Sequence, residues 1–369
     1  MAPLEPYEKV YVDVDFLDED PHGEIGCTTC HGGDATDPNW QTAHAHVVRD
    51  PSFEKPKEAC GSCHEDIASV AGKSLHYTLE PYWNVLHARM DTSNHVAMQK
   101  VSEAFGNHCA QCHSSCGQCH ISRPEAVDGG FVDGHFFHKR PDMETNCTAC
   151  HGSRVQKEFM GKNKGLPPDV HYMKRMTCNK CHTADEMHSA DGHVMSRYQA
   201  DKHASCQSCH PDAVSENSKV EMHQIHAQKV ECQVCHSVAY KNCYGCHVGK
   251  DQKGLPYYQV DSTTMGFKIA KNPLKSKDRP YDFVLVRHVP TNRHLFDYYV
   301  KDAFAHFDSL PTFKYATPHN IQLHTPQTAS CNACHGNKKL FLTKEDVPAG
   351  EQKANAKIIV REDEIPPKQ

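Results

Sequence analysis

The clearest helical period in the chain lies in residues 84–108. There Ala97, Val101, Ala104, Phe105 and His108 recur at spacings of three and four. The spacing predicts a helix that runs into the cysteine pair following it. Further along, FVLVRHV (283–289) reads as a strand. RHLFDYYVKDAFAHF (293–307) puts Phe296, Tyr299, Val300, Ala303, Phe304 and Phe307 on one helical face. Between such stretches apolar residues are thin, and Gly, Pro and Asn mark loops. The expected fold class is mostly irregular with short α-helices and little β-structure.

Four segments are expected. Residues 1–20 are acidic, 21–247 carry most of the cysteines, 248–330 carry none, and 331–369 hold the last cysteine pair and a polar tail. Residues 248–330 are the most conventionally foldable part, expected to cover the rest as a packing flap. The tail after Leu342 is expected to lie extended on the surface or to be disordered. The first 20 residues lack the basic start and apolar middle of a secretory signal. The chain is therefore expected to be a processed form or a domain cut from something longer.

Composition sharpens this. The apolar share is 38%, and that figure includes 20 cysteines; mean hydropathy is -0.68. Aliphatic side chains look too few to build the core a 369-residue chain normally has. Another source of buried apolar surface is needed. Net charge is -6, and no basic stripe of the nucleic-acid-binding kind occurs. The basic stretch Lys268 to Arg279 is interrupted by Asp and Pro and reads as a solvated loop. No run of 18 apolar residues exists to span a membrane.

All 20 cysteines fall into ten CxxCH motifs. These are Cys27, Cys30 and His31; Cys60, Cys63 and His64; Cys109, Cys112 and His113; Cys116, Cys119 and His120; Cys147, Cys150 and His151. The series continues with Cys178, Cys181 and His182; Cys206, Cys209 and His210; Cys232, Cys235 and His236; Cys243, Cys246 and His247; Cys331, Cys334 and His335. Two thiols two residues apart reach the two vinyl groups of one haem, and the next residue then lies beneath the iron as an imidazole ligand. Zinc ribbons, iron–sulfur ligation and redox dithiols also use CxxC, but none requires the histidine. Histidine is 30 of 369 residues, so ten chance placements have a probability on the order of 10⁻¹¹. Ten covalently bound haems c are the expected cofactors, held in a haem-packed architecture. Their propionates would make the loaded protein far more acidic than its sequence.

The motifs resemble those of multihaem c-type cytochromes of anaerobic respiration and extracellular electron transfer, over Cys27 to His335. The run CAQCHSSCGQCHISRP (109–124) is especially similar. The motif starts are separated by 33, 49, 7, 31, 31, 28, 26, 11 and 88 residues, with no fixed repeat. Only Ser114 and Ser115 separate His113 from Cys116, so those two haems are expected in contact.

Twenty histidines remain outside the motifs, twice the number needed to cap each iron on its other face. Bis-histidine ligation favours low-potential electron transfer. MHQIHAQKVECQVCH (222–236) resembles the HxxH arrangement of small tetrahaem cytochromes, which implies that His223 and His226 cap different haems. Context adds His44, His76, His135, His171, His188, His203, His288 and His319 as distal candidates; His193 and His306 compete with His203.

Electron transfer in anaerobic or extracellular respiration is the expected function, with the chain more a carrier than an enzyme. One alternative is an oxidoreductase with an open haem acting on nitrogen or sulfur oxyanions, its pocket lined by Arg293, Tyr298, Lys301 and His306. The CxxCK motif of nitrite reductases is absent. Another alternative is a subunit of a conductive filament. The expected partners are other redox proteins or quinol-oxidising membrane complexes, with no nucleic acid and no membrane span. The expected location is periplasmic or extracellular.

Overall fold

The computed structural model describes residues 3–188, 196–199, 202–276 and 279–369. Most of it is short helical turns and irregular chain, with little sheet. Two units interleave along the sequence. One comprises 1–83, 109–152 and 177–204; the other comprises 84–108, 153–176 and 205–369. The first therefore carries motifs one to six and the second motifs seven to ten.

Several motifs are themselves a helical turn, as in Cys27–His31, Cys116–His120 and Cys232–His236. Positions i, i+3 and i+4 of a helix share a face, so both thiols and the imidazole project together. Local side chains start these turns. Ser115 Oγ accepts the N–H of Gln118 at 3.3 Å, and Asp142 Oδ1 accepts those of Glu144 and Thr145 at 2.8 Å each.

The periodic stretch 84–108 is not one helix. It divides into α1 (Glu80–Arg89) and α2 (His95–His108). Asp91 accepts the N–H and hydroxyl of Ser93, forming a turn, and Asn94 then caps α2 by accepting the Ala97 N–H at 3.0 Å. A third helix, α3, spans Glu221–His226.

The second unit holds all the sheet. β1 (His247–Lys250) pairs antiparallel with β2 (Pro256–Gln259). A second sheet has the order β3 (Lys268–Lys271), β4 (Phe283–His288), β5 (Phe313–Tyr315), all antiparallel. β4 is central, and both its faces are covered. Leu285 packs with Ile269, Tyr240, Phe341 and Val360; Val284 and Val286 pack with Tyr281, Phe313, Leu342 and Ile358. Leu285 is fully buried, so Leu285→Ala should destabilise this unit by about 2–5 kcal/mol. A chemical denaturation midpoint of the haem-loaded protein would show it.

Three expectations change here. Residues 293–307 form successive turns rather than a helix: Leu295, Asp297 and Tyr299 donate to the carbonyls three residues earlier. Asp302 adopts a positive φ of 54°, which a helix cannot continue through. The tail after Leu342 is core, not a loose strand, since Val347, Ile358, Val360 and Ile365 are buried. The basic stretch begins as β3, with Ile269 and Ala270 buried between Lys268, paired to Asp346, and Lys271, paired to Glu364.

The first unit is built differently. Among its described residues only Phe16, Ala68 and Leu79 are buried apolar side chains. Polar anchors hold it instead. Asn146 Nδ2 donates to the carbonyls of Gln118 and Ser122 at 3.0 and 2.9 Å, and the buried Asp20 accepts the N–H of Phe137 at 2.8 Å.

Candidate metal centres

Seven motif histidines each face one non-motif histidine at a nearly constant distance. Ring centroids are 6.0 Å apart for His31 and His135, 6.2 Å for His64 and His22, 6.1 Å for His120 and His188, and 6.3 Å for His151 and His76. In the second unit they are 6.2 Å for His210 and His171, 6.0 Å for His236 and His223, and 6.2 Å for His335 and His226. These separations are too wide for ring stacking contact. A metal–imidazole bond of about 2 Å, with roughly 1 Å from nitrogen to ring centre, puts two collinear ligands about 6 Å apart. The interplanar angles, by contrast, run from 23° to 88°. Rotation about a common ligand–metal–ligand axis leaves the separation fixed and the twist free.

Hydrogen bonding prepares the rings. The Nδ1–H of His31, His120, His236 and His335 donates to the carbonyls of Val48, His138, Gln322 and Pro367 at 2.7, 2.7, 3.1 and 3.1 Å. Facing histidines do likewise: His226 to the Met222 carbonyl at 3.0 Å, His22 to Asp20 at 2.7 Å, His171 to Asp169 at 3.0 Å. A proton fixed on Nδ1 leaves the Nε2 lone pair for a metal. Burial holds His76, His135, His188 and His223 below the ordinary imidazole range, in the neutral, ligating form. Phe137 stacks on His22 at 3.8 Å, and Phe16 and Phe131 each lie 4.8 Å from His135.

Of the ten distal candidates, His76, His135, His171, His188, His223 and His226 stand in these pairs. His288 does not. Its Nε2 is bonded to Glu351 at 2.9 Å and its ring stacks on Phe313, so the atom a metal would need is committed elsewhere. His44 is exposed with Nδ1 held by the Trp40 carbonyl at 2.8 Å, and His203 is exposed. His319 donates from Nδ1 to the Thr317 carbonyl at 2.9 Å. His193 lies outside the described residues. His22 was not expected. It lies only two residues beyond the acidic segment; its one local signal is Asp20, placed to orient it.

Three motif histidines have other surroundings. Phe53 and Tyr77 rings lie 5.0 Å from His113. His182 bonds through Nδ1 to Glu186 at 3.0 Å, which raises its pKa. Asn292 Nδ2 lies 2.9 Å from His247 Nε2, the position a facing imidazole would need. Of Arg293, Tyr298, Lys301 and His306, expected around an open haem, Arg293 and Lys301 pair with Asp302 and Asp297, Tyr298 is 57% exposed, and the His306 N–H donates to the Arg89 carbonyl at 2.8 Å.

None of the 20 cysteines is in a disulfide. Thiols of different motifs adjoin one another. The thiols of Cys60 and Cys116, Cys112 and Cys150, Cys147 and Cys178, and Cys206 and Cys232 lie close enough to perturb one another. In each such pair the neighbouring thiol lowers one partner and raises the other; Cys112, Cys116, Cys147 and Cys232 come down to about 7. Cys119 also lies within electrostatic reach of Cys147, and Cys235 of Cys334. Cys30 of motif one lies within electrostatic reach of Cys60 of motif two, so the motifs link as one, two, four, five, with three and six on five; in the second unit they link as seven, eight, ten.

Among the described residues, no group of three or more His, Cys, Asp or Glu side chains converges on a point as metal donors. The donors come as opposed pairs beside a dithiol, the set a haem needs because its ring supplies the other four nitrogens. No helix among the described residues is long and apolar enough to cross a membrane. The chain matches no known protein family, no characterised protein and no solved structure.

Proposed function

We propose that the chain is an electron carrier that binds ten haems c, one at each CxxCH motif, most of them capped on both faces by histidine. The observation that carries the reading is the set of seven histidine pairs at 6.0–6.3 Å, each with one motif member and one distant member. Bound haem supplies one-electron iron chemistry. The protein's part is to bond each ring through two thioethers and to orient two imidazoles against it. Filling both axial positions keeps other ligands off the iron and favours transfer over catalysis. The adjoining thiols support successive haems lying near one another along the links described above.

Thioether attachment at CxxCH takes place outside the cytoplasm, so we place the carrier in the periplasm or at the cell surface. Its partners are then other redox proteins or a quinol-oxidising membrane complex. One observation favours a second reading for a single site: His247 faces Asn292, not an imidazole. An oxidoreductase with one open iron is the reading that follows from it.

Intact mass of the haem-loaded protein tests the first reading; ten haem additions are expected, and eight or fewer would sink it. His22→Ala should leave the haem count unchanged and turn one iron in ten high-spin. An unaltered low-spin spectrum would remove His22 from the ligands.

A further inference from the structure

Four cationic side chains gather in the second unit with one carboxylate among them. Arg89, at the end of α1, is 2% exposed, and its Nε and Nη1 are buried without a hydrogen-bond partner. Lys314 on β5 lies within electrostatic reach of Arg89, and burial together with that charge lowers it to about 8. Arg287 on β4 is the direct cross-strand partner of Lys314. Directly opposed residues of an antiparallel pair point to the same face, and like charges there repel. Arg287 also has a buried Nε without a partner. The fourth cation, Arg154, lies 4.7 Å from the Tyr240 ring centre, with Arg287 at 5.5 Å from the same ring.

The carboxylate is Glu158, fully buried. It accepts from Arg154 Nη1 at 3.2 Å and from the His319 N–H at 2.8 Å. Glu158 also lies within electrostatic reach of Arg287, but no described carboxylate is hydrogen-bonded to Arg89, Arg287 or Lys314. Arg89 is the fully buried member, and burying an uncompensated charge costs several kcal/mol. The sequence brings them from separate elements to the edge of the ninth motif, where Arg287 Nη1 lies 3.5 Å from Cys243 Sγ. This is the motif whose histidine faces Asn292.

We propose that Arg89, Arg287 and Lys314 form a buried site for a small oxyanion group beside the ninth haem. The two orphaned guanidinium edges suit a planar group with two or more acceptor oxygens. A carboxylate of a haem propionate has this chemistry, and so does a free oxyanion such as nitrite or sulfite that reaches the open face of the iron. The proposal rests on the haem reading above and extends it.

The test uses the haem-loaded protein, with Arg89→Met and Lys314→Met variants whose haem count is first verified by mass. A free-oxyanion site is expected to bind added nitrite or sulfite saturably, with a shift in the high-spin absorption bands. Either variant should then weaken that binding roughly ten- to a hundredfold. A propionate site is expected to ignore both anions, but each variant should lower the midpoint potential of one haem, since a cation beside it favours reduction. With the propionate or an added anion in place, Arg89→Met should lower the melting temperature. No anion binding, unmoved potentials and an equal or higher melting temperature would overturn the proposal, because removing an unpaired buried charge is then favourable. If Arg89→Met fails to fold, Lys314→Met alone decides by the same binding and potential readouts. Eight or fewer haems by mass would instead fault the haem reading and leave a distinct signature.

Discussion

Produced without haem attachment, the chain will lose the structure of its first unit while a large part of the second persists. The expectation comes from where apolar side chains are buried. In 1–83, 109–152 and 177–204, the described buried apolar residues are Phe16, Ala68 and Leu79. Ordering each residue's backbone costs about 1–2 kcal/mol, and three side chains offset only a few kcal/mol of it at about 1.5–3 kcal/mol each for large ones. Hydrogen bonds such as those of Asn146 and Asp20 fix geometry but contribute little net stability each. The second unit has two apolar clusters on either face of β4. Hydrogen exchange on haem-free protein should find β3, β4 and residues 341–360 protected, and motifs one to six exchanging as an unfolded chain. Protection across Cys109–His151 in that material would contradict the idea that haem supplies the missing core.

On the ten-haem reading, removing the fifth haem will interrupt transfer within the first unit more than removing any other there. Its motif is a junction. Cys150 adjoins Cys112 of motif three, Cys147 adjoins Cys178 of motif six, and Cys119 of motif four lies close to Cys147. A π-helical turn, Met143–Cys147, leads into it, a local widening often found at functional positions. Cys147→Ala with Cys150→Ala should give nine haems by mass. Electron equilibration among the remaining haems of this unit should slow by orders of magnitude, read from reduction transients after a light- or pulse-generated electron. The matched control is Cys331→Ala with Cys334→Ala. That motif adjoins only motif eight through its thiols, so its loss should shorten a path without dividing one. Equal transients from the two variants would sink the junction.

The binding chemistry of this chain was readable in one dimension because it is local. A thiol, two residues, a thiol and an imidazole are adjacent in sequence, so no folding is needed to bring them together. The strand at 283–288 was legible for a similar reason: its apolar run is longer than any other in the segment. The facing histidines, proposed as distal ligands, belong to tertiary structure. His22 is 42 residues from His64, and His135 is 104 from His31, so no spacing rule connects them. His288, with the same local look as a ligand, is committed to Glu351, a residue 63 positions away. The helix expected at 293–307 had the right apolar period, but turns closed by nearby carbonyls and the positive φ of Asp302 prevailed over it. The polar tail hid Val360 and Ile365 among charges, although contact with β3 and β4 makes them core. Residue type and near-neighbour spacing thus determined what the chain can bind. Which imidazoles oppose each other, and where Arg287 meets Cys243, depended on long-range packing, because those contacts are made by residues that share nothing along the chain.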